Sequence, residues 1–118
     1  MAKDFGFTAF LLEQMQWLGP VNARRMFGGS GFFLEGLMFG LVFDNTLYLK
    51  ADAQNRSDFE ALGLQPFTYP RGDREVALSY FQAPEEALDD KDILIDWGNR
   101  AYAAALRAAA AKHRPART

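Results

Sequence analysis

The sequence contains no cysteine, one histidine (His113) and three serines among 118 residues. The lack of cysteine excludes disulfides, thiolate nucleophiles and thiolate metal ligands. No serine stands in a Gly-x-Ser-x-Gly motif, and His113 lies in a basic C-terminal segment without an orienting partner. We therefore expect a protein that is not an enzyme and that uses no cofactor or metal.

The sequence has no large excess of positive or negative residues and no long hydrophobic run. Thirteen Lys and Arg residues stand against fifteen Asp and Glu residues, giving a formal net charge of −2. No global positive field therefore attracts nucleic acid or anionic lipid. The N-terminal residues resemble neither a signal peptide nor a membrane span. We expect a cytoplasmic protein that does not bind membranes.

The composition is that of a globular domain, because 49% of the residues are hydrophobic and 11 are phenylalanine. A chain of this length builds one core. We predict one domain over residues 1–111 with a phenylalanine-rich core. Residues 112–118 have nothing to pack and should form a flexible basic tail.

The hydrophobic pattern predicts an α+β fold with helices packed on an antiparallel sheet. The apolar run at 37–43 favours a central strand covered on both faces, whereas Pro66 and Pro70 favour an edge position for the strand between them. Helices are predicted at residues 4–18, 53–62 and 91–111, a short extended segment at 21–27, and strands at 32–35, 37–43, 46–50, 67–69 and 75–81.

A glycine-rich segment that includes Gly28 and Gly29 follows Arg24 and Arg25. Backbone donors around glycines can bind phosphate. However, no Gly-Lys-Ser/Thr follows, and the segment leads into a strand instead of a helix, so a structural turn is favoured. Because neighbouring strand residues point to opposite faces, the two arginines cannot serve one flat patch unless the strand bulges.

The candidate binding residues are Arg24, Arg25, Gly28, Gly29 and Tyr80. Tyr80 could stack on a base, or border a small-ligand pocket together with Arg25. These residues allow two binding functions besides interaction with another protein. One is direct nucleic-acid binding through the two arginines and the basic tail, which the acidic balance disfavours. The other is a small-ligand-binding domain of unknown specificity.

Seven segments of the sequence form a pattern in register, at residues 21–29, 31–33, 36–39, 47–50, 66–69, 79–80 and 83–88. Together they resemble the N-terminal domain of the TfoX/Sxy family, and the similarity spans residues 5–110. The resemblance implies a two-layer α+β fold of the secretion-chaperone kind, in the order α-β3-α-β2-α, with about five antiparallel strands.

Full-length members of that family are bacterial regulators of natural competence and carry a second, helical domain. The resemblance identifies this chain as a stand-alone N-terminal domain that lacks the second one. It implies a non-enzymatic, transcription-linked regulatory domain that interacts with proteins. The half-apolar last helix and the edge strand at 67–69 offer surfaces for a protein partner or for a second copy in a homodimer.

Overall fold

The computed structural model describes residues 3–26 and 28–112, with side chains from residue 6 onward. Phe27, His113 and the rest of the predicted tail beyond Lys112 lie outside these residues. The elements are α1 Lys3–Met15, a 3-10 turn Gln16–Leu18, β1 Asn22–Met26, β2 Gly29–Leu34, β3 Leu37–Phe43, β4 Thr46–Lys50, α2 Arg56–Glu60, β5 Pro66–Arg71, β6 Arg74–Gln82, α3 Glu86–Asp89 and α4 Lys91–Lys112. Within this described part, none of the helices has the length and apolar character needed to cross a membrane.

All the strands form one antiparallel sheet in the order β1-β2-β3-β4-β6-β5. The predicted α+β class is therefore confirmed. The sheet has six strands and not about five, because the extended segment becomes β1 and pairs with β2 from Asn22 to Met26. The edge position predicted from Pro66 and Pro70 is also confirmed, since β5 is the last strand of the order.

A bulge decides which side chains of β3 reach the main core. The β2–β3 register shifts between Phe32 and Phe33 and leaves Phe39 as an extra residue. An extra residue reverses the alternation of side chains along a strand. Phe39 and Val42 therefore both reach the main core although they are three positions apart, whereas Leu41 belongs to a cluster on the opposite face.

The helices cover one face of the sheet through small residues set against large ones. Phe32 and Phe39 are fully buried on the sheet, and α4 buries Ala101, Ala104 and Ala105. Gly98 of α4 leaves room for Leu18 of the 3-10 turn, whose Cδ1 lies 2.8 Å from where a Cβ would stand.

An aromatic group fixes α2 against β6 and α4. The Phe59 ring stacks on Phe81 at 5.4 Å between centroids and contacts Trp97 at 5.1 Å. Phe59 is fully buried. The helix predicted at 53–62 is shorter in the structure and ends at Glu60, and Leu62 beyond it is 54% exposed.

The opposite face is covered by the sheet itself. The Phe67 ring of β5 lies 4.9 Å from Tyr48 of β4 and 5.5 Å from Phe43 of β3. In a flat sheet β5 and β3 would be three strand spacings apart, roughly 14 Å. The sheet must therefore curl so that the β5–β6 hairpin bends over this face. The predicted burial of β3 on both faces is achieved within one chain.

We predict that Gly29→Ala strongly destabilises the fold. A Cβ there would collide with the carbonyl oxygen of Val42, which is backbone and cannot move aside. Such overpacking should lower the free energy of unfolding by at least about 2 kcal/mol. Gly6→Ala is the matched control, because its Cβ meets nothing within 4 Å on an exposed helix. That control should gain roughly 0.5 kcal/mol in urea unfolding. Equal losses in both variants would contradict the prediction.

Candidate functional site

The glycine segment is a strand-to-strand turn, as predicted. β1 ends at Met26 and pairs with Gly29 at the start of β2. Gly28 has a φ of 76°, a conformation that favours glycine. Gly29 has no room for a side chain beside Val42. Close packing and turn geometry therefore account for both glycines, and their binding role stays a prediction.

Arg24 and Arg25 point to opposite faces of the sheet. The guanidinium carbon of Arg24 lies 4.3 Å from the centroid of the Phe33 ring, on the face away from the helices. Arg25 pairs with Ser30 and lines a groove beneath α1. As strand alternation predicted, the two cations do not form one flat patch.

In the order of the sheet, β2, β3 and β4 lie between the strand of Tyr80 and β1. The Tyr80 hydroxyl donates a hydrogen bond to the Met38 carbonyl at 3.2 Å. Burial disfavours the phenolate and raises the pKa of Tyr80 to about 12, so it stays neutral at physiological pH. Tyr80 belongs to the cluster on the face away from the helices, whereas Arg25 lines the groove beneath α1, so these two side chains do not border one pocket.

A groove of about 270 Å³ separates α1 from β1 and β2. Its lining residues are the polar Thr8, Ser30, Arg24 and Arg25 and the apolar Ala9, Leu12 and Ala23. Thr8 and Ser30 are 9% and 5% exposed. Among the described residues, the Thr8 hydroxyl is the buried side-chain polar atom that has no hydrogen-bond partner. A buried hydroxyl without a partner is destabilising, so this position departs from ordinary packing.

A polar network that the sequence did not reveal joins the start of α2 to α4. Asp52 accepts hydrogen bonds from the backbone amides of Gln54 and Asn55 at 3.0 and 3.2 Å. Its carboxylate also receives two bonds from Arg107, at 2.5 and 3.0 Å. The buried Asn55 amide donates to the carbonyl oxygens of Lys50 and Arg100. These hydrogen bonds stabilise the fold, since they join the segment before α2 to α4, which is distant along the chain.

An acidic residue caps the start of α4. Asp90 accepts hydrogen bonds from the amides of Asp92 and Ile93 at 2.9 and 3.2 Å. Leu94 continues the turn by donating to the Asp90 carbonyl. Asp90 is therefore the N-cap of α4.

Two large apolar side chains of the first helical segment are exposed to solvent. Trp17 is 69% exposed and Phe10 is 45% exposed. They are seven positions apart, close to two helical turns, and so lie near the same side. The Lys91 ammonium lies 4.0 Å above the centroid of the Trp17 ring. We call Phe10, Trp17 and Lys91 the tryptophan surface.

The architecture and these surfaces define a small α+β domain with a helical layer on one face of its sheet. A family model of the TfoX N-terminal domain matches residues 13–105, so the chain belongs to the family of TfoX N-terminal domains, as its sequence resemblance predicted. The DNA transformation protein TfoX1 of Aliivibrio fischeri (strain ATCC 700601 / ES114) is 38% identical over 68 residues. The aligned part covers 58% of this chain and 32% of that relative.

We predict that Thr8→Val stabilises the domain. The substitution keeps the shape of the side chain and removes the unpartnered hydroxyl, so the free energy of unfolding should rise by about 1 kcal/mol in urea titrations. Thr46→Val is the matched control, because the Thr46 hydroxyl donates to the Asp44 carbonyl at 3.2 Å. That control should not be stabilised, and a loss of stability in Thr8→Val would contradict the assignment.

We predict a pH-dependent effect for Asp52→Asn. The hydrogen bonds from Arg107 lower the pKa of Asp52 below its ordinary value of 3.8. The carboxylate therefore stabilises the folded state above that value, and the stabilisation is lost as pH falls through the lowered pKa. Asparagine retains the acceptor for the cap but not the charge.

The midpoint of urea unfolding of Asp52→Asn should be lower than that of the wild type at pH 7. The difference should vanish in strong acid. Glu60→Gln breaks an exposed pair with Arg56 and should change the midpoint little at either pH. A difference between wild type and Asp52→Asn that does not depend on pH would contradict the role of the charge.

Proposed function

We propose that this domain is a non-enzymatic protein-interaction module with a regulatory, transcription-linked role in DNA transformation. Membership of the TfoX N-terminal domain family and the similarity to a DNA transformation protein support this proposal. The aligned part is about a third of that relative, so the proposal concerns the contribution of this domain.

The exposure of Trp17 is the observation that carries the proposal. A tryptophan that is 69% exposed leaves a large apolar ring in water, which is unfavourable unless a partner covers it. Tryptophan is also among the residues that contribute most to protein–protein binding. Phe10 extends the apolar area along the same side of the helix. We propose that a protein partner binds the tryptophan surface by taking the Trp17 ring into an apolar pocket.

Direct nucleic-acid contact is the less favoured function. Arg24 and Arg25 are neighbours on the edge strand β1, where side chains alternate between the two faces, and the Arg24 guanidinium lies over the Phe33 ring, so the pair does not present one flat cationic patch. The net charge of −2 adds no attraction.

The proposal predicts that Trp17→Ala abolishes capture of a specific partner. Tagged wild type and variant are compared by quantitative pull-down and mass spectrometry from a native host grown under competence conditions. A partner of the tryptophan surface should lose at least about tenfold in affinity. Leu106→Ala is the matched control, because Leu106 is 47% exposed on α4 and its loss should change nothing.

Sedimentation equilibrium decides whether the partner is a second copy. A wild-type homodimer that becomes monomeric in Trp17→Ala identifies the tryptophan surface as the dimer interface. If every captured protein is retained equally by Trp17→Ala and the wild type remains monomeric, the proposal fails.

A further inference from the structure

The groove beneath α1 contains the polar side chain that the fold leaves unexplained. Thr8 is 9% exposed and lines the groove, and its hydroxyl has no hydrogen-bond partner within the described residues. Folding alone would favour valine at this position. A hydroxyl that remains unpaired in the free protein is instead suited to a bound molecule that supplies the missing partner.

The other polar groups of the groove indicate the charge of that molecule. Arg25 contributes a permanent cation, and a guanidinium matches the geometry of a carboxylate. Ser30 stands opposite Arg25 in the β1–β2 ladder and lines the same groove with a buried side chain. One cation and two hydroxyls can together receive an anion with one charge.

The remaining walls indicate the body of the molecule. Ala9, Leu12 and Ala23 present apolar surface, and small residues at two of these positions leave the groove open. Its volume of about 270 Å³ lies just under the range common for small-molecule sites. A compact molecule with a short apolar body fits these walls.

We propose that the groove between α1 and the β1 edge binds a small carboxylic acid with a short apolar body. The carboxylate pairs with Arg25 and the hydroxyls of Thr8 and Ser30, while the body packs on Ala9, Leu12 and Ala23. The site is separate from the tryptophan surface and does not depend on the proposed function.

The test is a titration of the isotope-labelled full chain with sodium hexanoate, followed by two-dimensional amide NMR. Saturable shifts are expected at the amides of Thr8, Ala23 and Ser30. Hexanol, which has the same body without the charge, and inorganic phosphate, which has charge without the body, should produce none. Absence of saturable shifts with hexanoate overturns the proposal, and equal binding of hexanol or phosphate overturns the assigned chemistry.

Variants separate binding from folding. Thr8→Val and Arg25→Gln should each weaken hexanoate binding at least tenfold while the amide spectrum stays that of a folded protein. Arg71→Gln is the matched control, because Arg71 is an exposed cation on β5, at the opposite edge of the sheet. Its affinity should equal that of the wild type. If Arg71→Gln weakens binding as much as Arg25→Gln, the attraction is a general charge effect and the proposal fails.

Discussion

The fold depends on how closely α4 approaches the sheet. Along α4, Ala101, Ala104 and Ala105 are buried, and the Tyr102 ring contacts the fully buried Phe39 of β3 edge-on, with 6.1 Å between ring centroids. Dense packing makes a void or an overlap costly on either side. The bulge at Phe39 is part of the same fit, because it turns that ring toward the helix and lets Val42 follow on the same face.

Polar contacts fix the start of α2 against α4. Asp52 and Asn55 hold the start of α2, and through Arg107 and the carbonyl of Arg100 they also hold α4. Asn55 is 5% exposed and satisfies its hydrogen-bonding groups within the chain. A buried amide that connects three segments specifies one arrangement of them, since any shift would leave it unpaired.

Much of the fold follows from local pattern. The period of the apolar residues predicts α1 and α4, and prolines predict the edge position of β5. Other features depend on distant contacts. The residues around Arg24 and Arg25 predict an extended segment. Whether that segment joins the sheet depends on its pairing with β2, which the local sequence does not specify.

The candidate site residues likewise divide into features that the local sequence predicts and features that depend on distant contacts. Opposite orientation of the two arginines follows from strand geometry, whereas the separation of Tyr80 from Arg25 follows from strand order. The groove was missed because Thr8 looks like an ordinary polar residue within a helical stripe. A threonine on the inner side of α1 was the one available signal, and its significance depends on the absence of a partner in the packed structure.

The two edges of the sheet bear on how copies of this chain coexist at high concentration. An open edge presents unpaired backbone groups that can recruit further strands and lead to aggregation. At one edge, Pro66 and Pro70 remove backbone donors from β5. At the other edge, β1 carries the charged side chains of Arg24 and Arg25, and charged residues on an edge strand disfavour edge-to-edge pairing. Both edges therefore have the residue types that limit growth of a sheet by addition of further copies.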